Sequence, residues 1–240
     1  MQYNEQEHID DYPLTIFFTK EQYLKKVPAS SLRSTTSEHK LKEDDEIVLI
    51  EETSNVSELV FFSDKANVYK YKTYDMPDSK VAAMGEYLPS LLELEPGEKI
   101  IYAVVTKDFA GNMLFTFQNG KMAKVELKNY ETKTNRKKLI GAYSAKSPIV
   151  DIKLIKEDTD IVIITENNRV LTVNTSLIPL KSTKSTQGVQ VLRQPKNGIS
   201  PAKVQLVTEC EIDDPNKYVA RTIPSAAKTL KSEDGQLSLI

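Results

Sequence analysis

The feature that most constrains this chain is that it resembles itself. A two-armed segment is plainest at Leu114–Val125, reading Leu-Phe-Thr-Phe-Gln-Asn-Gly-Lys-Met-Ala-Lys-Val. It recurs at Thr15–Val27, Leu59–Tyr71 and Ile161–Val173. Each copy has an apolar first arm, a turn, and a second arm that mixes apolar residues with polar ones. Asn119-Gly120 predicts a tight hairpin turn with positive φ at both central positions, which Asn tolerates and Gly takes freely. Aligned without gaps, Phe17, Phe61, Phe115 and Ile163 coincide in the first arms. In the second arms Leu24, Val68, Met122 and Val170 coincide, as do Val27, Tyr71, Val125 and Val173. An apolar peg follows each hairpin five residues on: Leu32, Met76, Tyr130 and Ile178. The copies are 44, 54 and 48 residues apart, a spacing that belongs to stacked blades or solenoids, here built of strands.

A further strand precedes three of the hairpins, at Ile47–Ile50, Ile100–Val105 and Ile149–Ile155. The last alternates Ile152, Lys153 and Leu154, as a half-buried strand does. A fourth such strand, Ala202–Val207, has no strong hairpin after it, and the first hairpin has no such strand before it. The economical expectation is that the chain end completes the unit begun at the chain start, closing a ring of four β units. Tyr218–Pro224 also reads as a second arm, and hence as a degenerate fifth unit. The expected organisation is an acidic lead-in over 1–12, a repeat domain over 13–224 and a flexible C-terminal tail over 225–240. Helical periodicity is confined to a turn near Leu88–Leu94. A chain of 240 residues can bury a full core. No apolar run reaches the roughly 20 residues of a membrane helix, and the acidic N-terminus does not fit a signal or transit peptide. The single cysteine, Cys210, allows no internal disulfide and fits a reducing cytosol.

Net charge is only −2, so any nucleic-acid argument rests on where the charges lie. Acidic clusters sit before hairpins or at their strand junctions: Glu43–Glu46, Glu93 with Glu95 and Glu98, Glu157 to Asp160, and Glu209 to Asp214. Basic clusters follow the hairpins. Lys121 to Lys138 holds seven Lys or Arg against two Glu, and 174–208 holds five with no acid. In a ring of like units, this alternation predicts one acidic and one basic rim, the latter a track for a phosphate backbone. Lys26, Lys70 and Lys124 share one position in the second arm, where the fourth copy has Thr172. Two readings stand side by side there: a repeated phosphate contact, or an edge lysine that deters strand-to-strand association.

Reaction chemistry finds no foothold. His8 and His39 are the two histidines, and with one distant cysteine they make no zinc-ligand spacing. Neither is well placed to activate Cys210. The glycines are single and scattered, so no phosphate-cradling loop appears. The carboxylates lie in runs typical of solvated edges.

From about residue 13 to 224 the chain resembles the C-terminal domain of the A subunit of bacterial type IIA topoisomerases, DNA gyrase and topoisomerase IV. The resemblance is carried by Phe18-Thr19-Lys20 through Lys25-Lys26-Val27-Pro28, Phe62-Ser63-Asp64 through Tyr69-Lys70, and Gln118-Asn119-Gly120-Lys121 through Lys124-Val125. Basic–glycine turns follow the last three hairpins: Lys80 to Gly85, Arg136 to Gly141, and Lys184 to Gly188. The resemblance implies an all-β fold, a β-pinwheel: a propeller-like ring of repeated antiparallel blades, about four of them, with hairpins exchanged between neighbours. It implies that the basic perimeter binds and bends double-stranded DNA for strand passage. The candidate DNA-binding residues are then Lys26, Arg33, Lys40, Lys70, Lys80, Lys124, Lys128, Lys133, Arg136, Lys137, Lys138, Lys181, Lys184, Arg193 and Lys196.

The same resemblance implies no catalytic residue, metal or cofactor in this segment. ATP and magnesium would serve the full enzyme, an ATP-dependent isomerase. Partners would be DNA, the ATPase B subunit, and the breakage-reunion core that shares the polypeptide with this domain. The setting would be bacterial, cytoplasmic and nucleoid-associated, without a membrane. Gyrase carries an arginine- and glycine-rich box after its first repeat hairpin. The matching stretch, Ser31 to Lys40, has one arginine and no glycine. That points to topoisomerase IV-like relaxation and decatenation. The alternatives are a gyrase domain that wraps DNA for supercoiling and a propeller-like platform for protein partners.

Overall fold

The structure is a computed structural model and describes residues 9–132 and 136–231. Eighteen strands follow in chain order: β1 (Pro13–Thr19), β2 (Tyr23–Pro28), β3 (Ile47–Ser54), β4 (Glu58–Ser63), β5 (Val68–Lys72), β6 (Glu86–Tyr87), β7 (Ile100–Thr106), β8 (Asn112–Phe117) and β9 (Lys121–Glu126). Then come β10 (Lys138–Leu139), β11 (Ile149–Ile155), β12 (Asp160–Thr165), β13 (Arg169–Asn174), β14 (Leu180–Lys181), β15 (Val189–Gln190), β16 (Pro201–Leu206), β17 (Val219–Ala220) and β18 (Lys228–Thr229). Two short helices, α1 (Ala29–Ser34) and α2 (Leu88–Leu91), accompany them, the second at the expected helical turn. The fold class read from the repeats is therefore borne out: all-β, with four small sheets.

The chain divides into two compact units, one of Met1–Asp108 with Thr134–Ile140, the other of Phe109–Lys133 with Gly141–Ile240. The first unit holds the sheets β3-β1-β2-β6 and β10-β5-β4-β7. The second holds β11-β8-β9-β14, with β15 also on β9, and β16-β12-β13-β17, with β18 also on β13. Each sheet is built alike. A hairpin forms its centre, a companion strand lies on the first arm, and one or two very short strands lie on the second arm. The companion is the strand that follows the hairpin in sequence, and the short strands come from further along the chain, beyond the next hairpin or its place.

The gapless alignment of the copies is their hydrogen-bonded register. Phe17 faces Lys25, Phe61 faces Tyr69, Phe115 faces Ala123 and Ile163 faces Leu171 across the hairpins. All four first arms carry a register irregularity against their companions at the same place, beside Thr19, Ser63, Phe117 and Thr165. There the strand bends toward its turn, as β-bulges do. The turn itself differs from expectation. Only its last residue is left-handed, namely Gln22, Ala66, Gly120 and Asn168, with φ of 72°, 56°, 76° and 56°. Its amide closes on the carbonyl three residues back, Gly120 to Phe117 at 2.9 Å in the third copy. This is the three-residue hairpin with one left-handed position, not a turn with two. Three of the copies close it without glycine.

Two further expectations are corrected. Pro201–Leu206 does not return to the first hairpin but pairs with β12, the first arm of the fourth. Among the described residues β1 pairs only with β2 and β3, so the chain end completes the fourth sheet, not the first. The Tyr218–Pro224 stretch is no fifth hairpin arm, since Val219–Ala220 lies parallel to β13 as a short second-arm neighbour. Residues 225–231, counted as tail, include Lys228–Thr229 on β13 and Ala227, which is buried.

Within the first unit one core joins both sheets through Leu14, Ile16, Phe18 and Leu24 against Leu59, Phe61, Tyr69, Met76, Leu88 and Ile100. The opposite face of the first sheet holds a smaller cluster of Phe17, Val27 and Val81. In the second unit Leu114 and Met122 pack with Ile161, Ile163, Leu171, Val173, Ile178 and Val204. The other face of the fourth sheet is covered by Ile212 and Tyr218 against Val162, Ile164 and Val170. Because the hairpins are covered on both faces, their strands are apolar almost continuously rather than alternately.

Candidate nucleic-acid interface

The structure sorts the candidate cations into groups that the sequence does not separate. Lys26, Lys70 and Lys124 are buried. Lys26 Nζ donates to the Met76 carbonyl at 3.0 Å and pairs with Asp78 at 3.1 Å. Lys124 Nζ donates to the Thr175 carbonyl at 2.9 Å and to Asp158 at 2.8 Å. Lys70 pairs with Glu58 at 2.7 Å, and Lys72 reaches the other oxygen of the same carboxylate. Burial alone would push Glu58 up, but its bonds to Lys70 and Lys72 outweigh that and hold it below the usual carboxylate range. The Lys124 bond, followed by that of Thr175, likewise lowers Asp158.

Both readings of this lysine position are thereby corrected. The second arm lies inside each sheet, so the lysine is neither an edge guard nor a surface contact. It carries a donor to a buried backbone carbonyl or carboxylate of its own unit. In the fourth copy Thr172 does the same with a shorter reach, donating from Oγ1 to the Pro215 carbonyl at 2.8 Å.

Two other candidates reach the surface already paired. Lys128 bonds Glu131 at 2.5 Å. Lys138 bonds Glu95 at 2.9 Å and stands 5.3 Å from the Tyr69 ring centre, and the Glu95 bond raises its pKa. Tyr69 in turn donates to Glu98 at 2.8 Å. Burial alone would raise Glu98, yet donors from Ser63, Asn67, Tyr69 and the Glu95 amide hold it down at about 2. Lys184 donates to the Asn129 carbonyl at 3.3 Å and lies 5.7 Å from the Tyr130 ring centre. Arg193 reaches the Pro224 carbonyl at 3.3 Å.

The remainder are Arg33, Lys40, Lys80, Arg136, Lys137, Lys181 and Lys196. All are exposed except half-buried Lys181, and none has a carboxylate partner among the described residues. Lys133 lies outside the described residues. In the first unit Lys80 belongs to the segment that ends in β6 on the second arm of hairpin one. There Lys40 joins it, its amide bonding the Val81 carbonyl at 3.3 Å. Arg136 and Lys137 lead into β10 on the second arm of hairpin two, with Lys137 Nζ 5.9 Å from the Tyr71 ring centre. In the second unit Lys181 lies in β14, on the second arm of hairpin three. Five of these seven cations thus gather where short strands are added to second arms, whereas Arg33 lies in α1 and Lys196 in the turn closed by Gly198 on Pro195. Glycine permits the close approach: Gly85 and Gly188 pass so near the arm that a Cβ would lie 2.3 Å from the Leu24 carbonyl oxygen and 1.8 Å from that of Met122.

The acidic clusters do not share one structural position, which corrects the single acidic rim. In the first unit they abut hairpin turns, as in Lys20–Glu46 at 3.0 Å and Lys65–Glu95 at 3.9 Å. In the second unit Asp158 follows a companion strand and serves Lys124 at the other end of the hairpin.

Sequence reasoning missed Lys25. It is fully buried, and its Nζ donates to the carbonyls of Lys40 at 2.7 Å and Val81 at 3.1 Å. Burial lowers its pKa, and burial followed by the nearby Lys25 charge lowers that of His39. His39 itself packs on Phe17 with ring centres 4.4 Å apart. Lys25 therefore ties the loop carrying Lys40 to the segment carrying Lys80. No pattern marked it, since it reads like its neighbour Lys26. Among the described residues no group of three or more His, Cys, Asp or Glu could hold a metal, and no helix is long and apolar enough to cross a membrane.

The family model described as "DNA gyrase C-terminal domain, beta-propeller" matches residues 57–107 and 159–198, the second and fourth hairpins with their surroundings. The DNA gyrase A subunit of Thermotoga maritima is 27% identical over 143 residues, 57% of this chain and 18% of that protein. Its counterpart in Clostridium acetobutylicum is 26% identical over 174 residues, 69% of this chain and 21% of that protein. The chain thus spans about a fifth of the length of these relatives. Among solved structures, the C-terminal domain of DNA topoisomerase IV superposes with a TM-score of 0.74 at 23% identity, covering 85% of this chain and 64% of that one. The E. coli ParC C-terminal domain gives 0.68 at 14% identity, covering 92% and 94%. Repeat geometry, matched repeats and shared fold agree: the chain is similar to the C-terminal domains of type IIA topoisomerase A subunits.

Proposed function

We infer that this chain is the DNA-binding and DNA-bending domain of a type IIA topoisomerase A subunit, and that it carries no reaction itself. The observation that supports this most is the recurrence of unpaired cations on the strands added to second arms: Lys80 with Lys40, then Arg136 with Lys137, then Lys181. Such cations meet successive phosphates along a duplex without reading bases. Affinity comes from released counterions, and bending a short duplex, at several kcal/mol, is offset by the added backbone contacts. The bent segment is presented to the breakage-reunion core of the same polypeptide, and the ATPase B subunit supplies the ATP-driven step with magnesium. No cofactor is used within this domain, and its setting is the bacterial cytoplasm at the nucleoid.

The stretch Ser31–Lys40 bears one arginine and no glycine, which favours relaxation and decatenation of the topoisomerase IV kind over gyrase-like wrapping. A gel-shift salt series tests the reading. Duplex affinity falls steeply between about 50 and 200 mM salt if several phosphates are neutralised. No duplex binding at low salt would overturn it and leave a platform for protein partners. Charge reversal of Arg136 and Lys137 weakens binding alike for all sequences. A loss confined to one sequence would point to base reading instead.

A further inference from the structure

We propose that the segment after the last hairpin, 221–228, is a further DNA-backbone contact, with Arg221 and Lys228 as its phosphate-binding cations. This rests on the DNA-binding reading above and extends it to residues counted as border and tail in the sequence.

The proposal comes from register. On hairpin three, Leu180 and Lys181 run parallel to Lys124 and Val125, and after seven residues Val189 and Gln190 return antiparallel on Met122 and Lys121. On hairpin four, Val219 and Ala220 run parallel to Thr172 and Val173, and after seven residues Lys228 and Thr229 return antiparallel on Val170 and Arg169. Lys124 and Thr172 are aligned positions of the repeat, as are Met122 and Val170. The two strand pairs and the two intervening loops, 182–188 and 221–227, are therefore the same construction. Ala227 takes the place of Gly188 and, like it, lies against the arm, with only 5% of its surface exposed.

The chain that builds this second construction contains no hairpin of its own. It keeps the part of the repeat that covers the previous second arm and omits the rest. Its loop is well anchored: the Ser225 amide donates to the Val191 carbonyl at 2.9 Å, and the Arg193 amide donates to the Ser225 carbonyl at 2.8 Å. Arg193 Nη2 also donates to the Pro224 carbonyl at 3.3 Å, which brings a third cation beside the loop. Arg221 and Lys228 are exposed at its two ends. Lys228 Nζ meets the Lys217 carbonyl at 3.2 Å, a neutral partner, and has no carboxylate partner among the described residues. From 215 to 231 there are four Lys or Arg and no acid. A cationic, acid-free loop held rigid at a second arm suits a duplex phosphate backbone, as at 182–188, which Lys181 and Lys184 serve.

The test is fluorescence anisotropy of a labelled short duplex with the 240-residue chain, the double variant Arg221→Glu with Lys228→Glu, and the double variant Arg136→Glu with Lys137→Glu. The expected result is that the Arg221/Lys228 variant binds at least several-fold more weakly and that its log affinity against log salt is shallower by about 2, since each lost phosphate contact removes about 0.9. The neutral pair Arg221→Gln with Lys228→Gln gives the same loss of slope and guards against misfolding, which circular dichroism and thermal unfolding check directly. Unchanged affinity and slope in a folded Arg221/Lys228 variant, while the Arg136/Lys137 variant weakens, would overturn this proposal alone. Absence of duplex binding by the parent chain would instead overturn the DNA-binding reading on which it rests.

Discussion

At the scale of single residues, lysine serves two purposes in this fold, and they are separable by experiment. Lys124 is buried with its charge between a carbonyl and Asp158, whereas Lys137 is exposed beside the Tyr71 ring. Truncating Lys124 to Ala leaves the Thr175 carbonyl without a donor and Asp158 without its cation. Such a loss costs about 1–3 kcal/mol for the carbonyl alone. Lys124→Ala is expected to lower the denaturant midpoint clearly while the remaining folded molecules keep their duplex affinity. Lys137→Ala is expected to leave the stability within about 0.5 kcal/mol of the parent and to weaken duplex binding. Chemical denaturation and anisotropy on the same two samples decide it. Equal stability of both variants would return Lys124 to the surface contacts. The repeat marks this position correctly as special, but a lysine between apolar residues reads as solvent-facing. Only the distant segments that bring the Thr175 carbonyl and Asp158 against that side chain reverse the reading.

At the scale of elements, the added strands are the part of the fold least visible in the chain. Glu86–Tyr87, Lys138–Leu139 and Leu180–Lys181 are two residues each, too short for any periodicity. The hairpins are legible to the residue, because Phe17, Phe61, Phe115 and Ile163 align in sequence as they do in register. Which hairpin each later segment pairs with is not, since that pairing is set by backbone fit against an arm far back in the chain. Gly188 is where the fit can be tested. Its φ is +70°, and a Cβ there would meet the Met122 carbonyl oxygen at 1.8 Å. Gly198 has a similar φ of +71° but nothing within 4 Å. Gly188→Ala is therefore expected to detach β15 and to cost clearly more than Gly198→Ala. The latter should cost only the conformational strain of the left-handed position, about 1 kcal/mol. Amide exchange of Met122 and Val189 is the direct readout. Protection lost in Gly188→Ala and kept in Gly198→Ala is the expected outcome, and equal protection in both would mean that the added strand does not depend on this close approach.

For the whole molecule, a net charge of −2 means that duplex affinity cannot come from overall attraction. It has to come from cations fixed in place by the fold, and their placement decides the path the DNA takes. Topology is therefore a sharper measure of this domain than affinity. The first hairpin is followed by α1, which carries Arg33, and a loop that carries Lys40 and the Glu21-paired Lys42, with no glycine among them to bring the backbone close to a phosphate. With so little charge at that point, the expectation is that DNA is bent by the later loops without being carried around the domain in a fixed hand. If a relaxed circular plasmid is saturated with the chain at low salt, nicked, resealed and stripped of protein, its linking number is expected to match that of the protein-free control. Bending should still be evident, as a shortened end-to-end distance of a doubly labelled duplex. A handed shift in linking number that grows with the protein-to-plasmid ratio would assign the domain to gyrase-like wrapping. It would also mean that the contacts of the later loops wrap DNA without an arginine- and glycine-rich box. Adding arginines by Ser34→Arg and Thr36→Arg tests the same point from the other side. If charge in this loop is the missing element, the double variant gains a handed shift that the parent lacks.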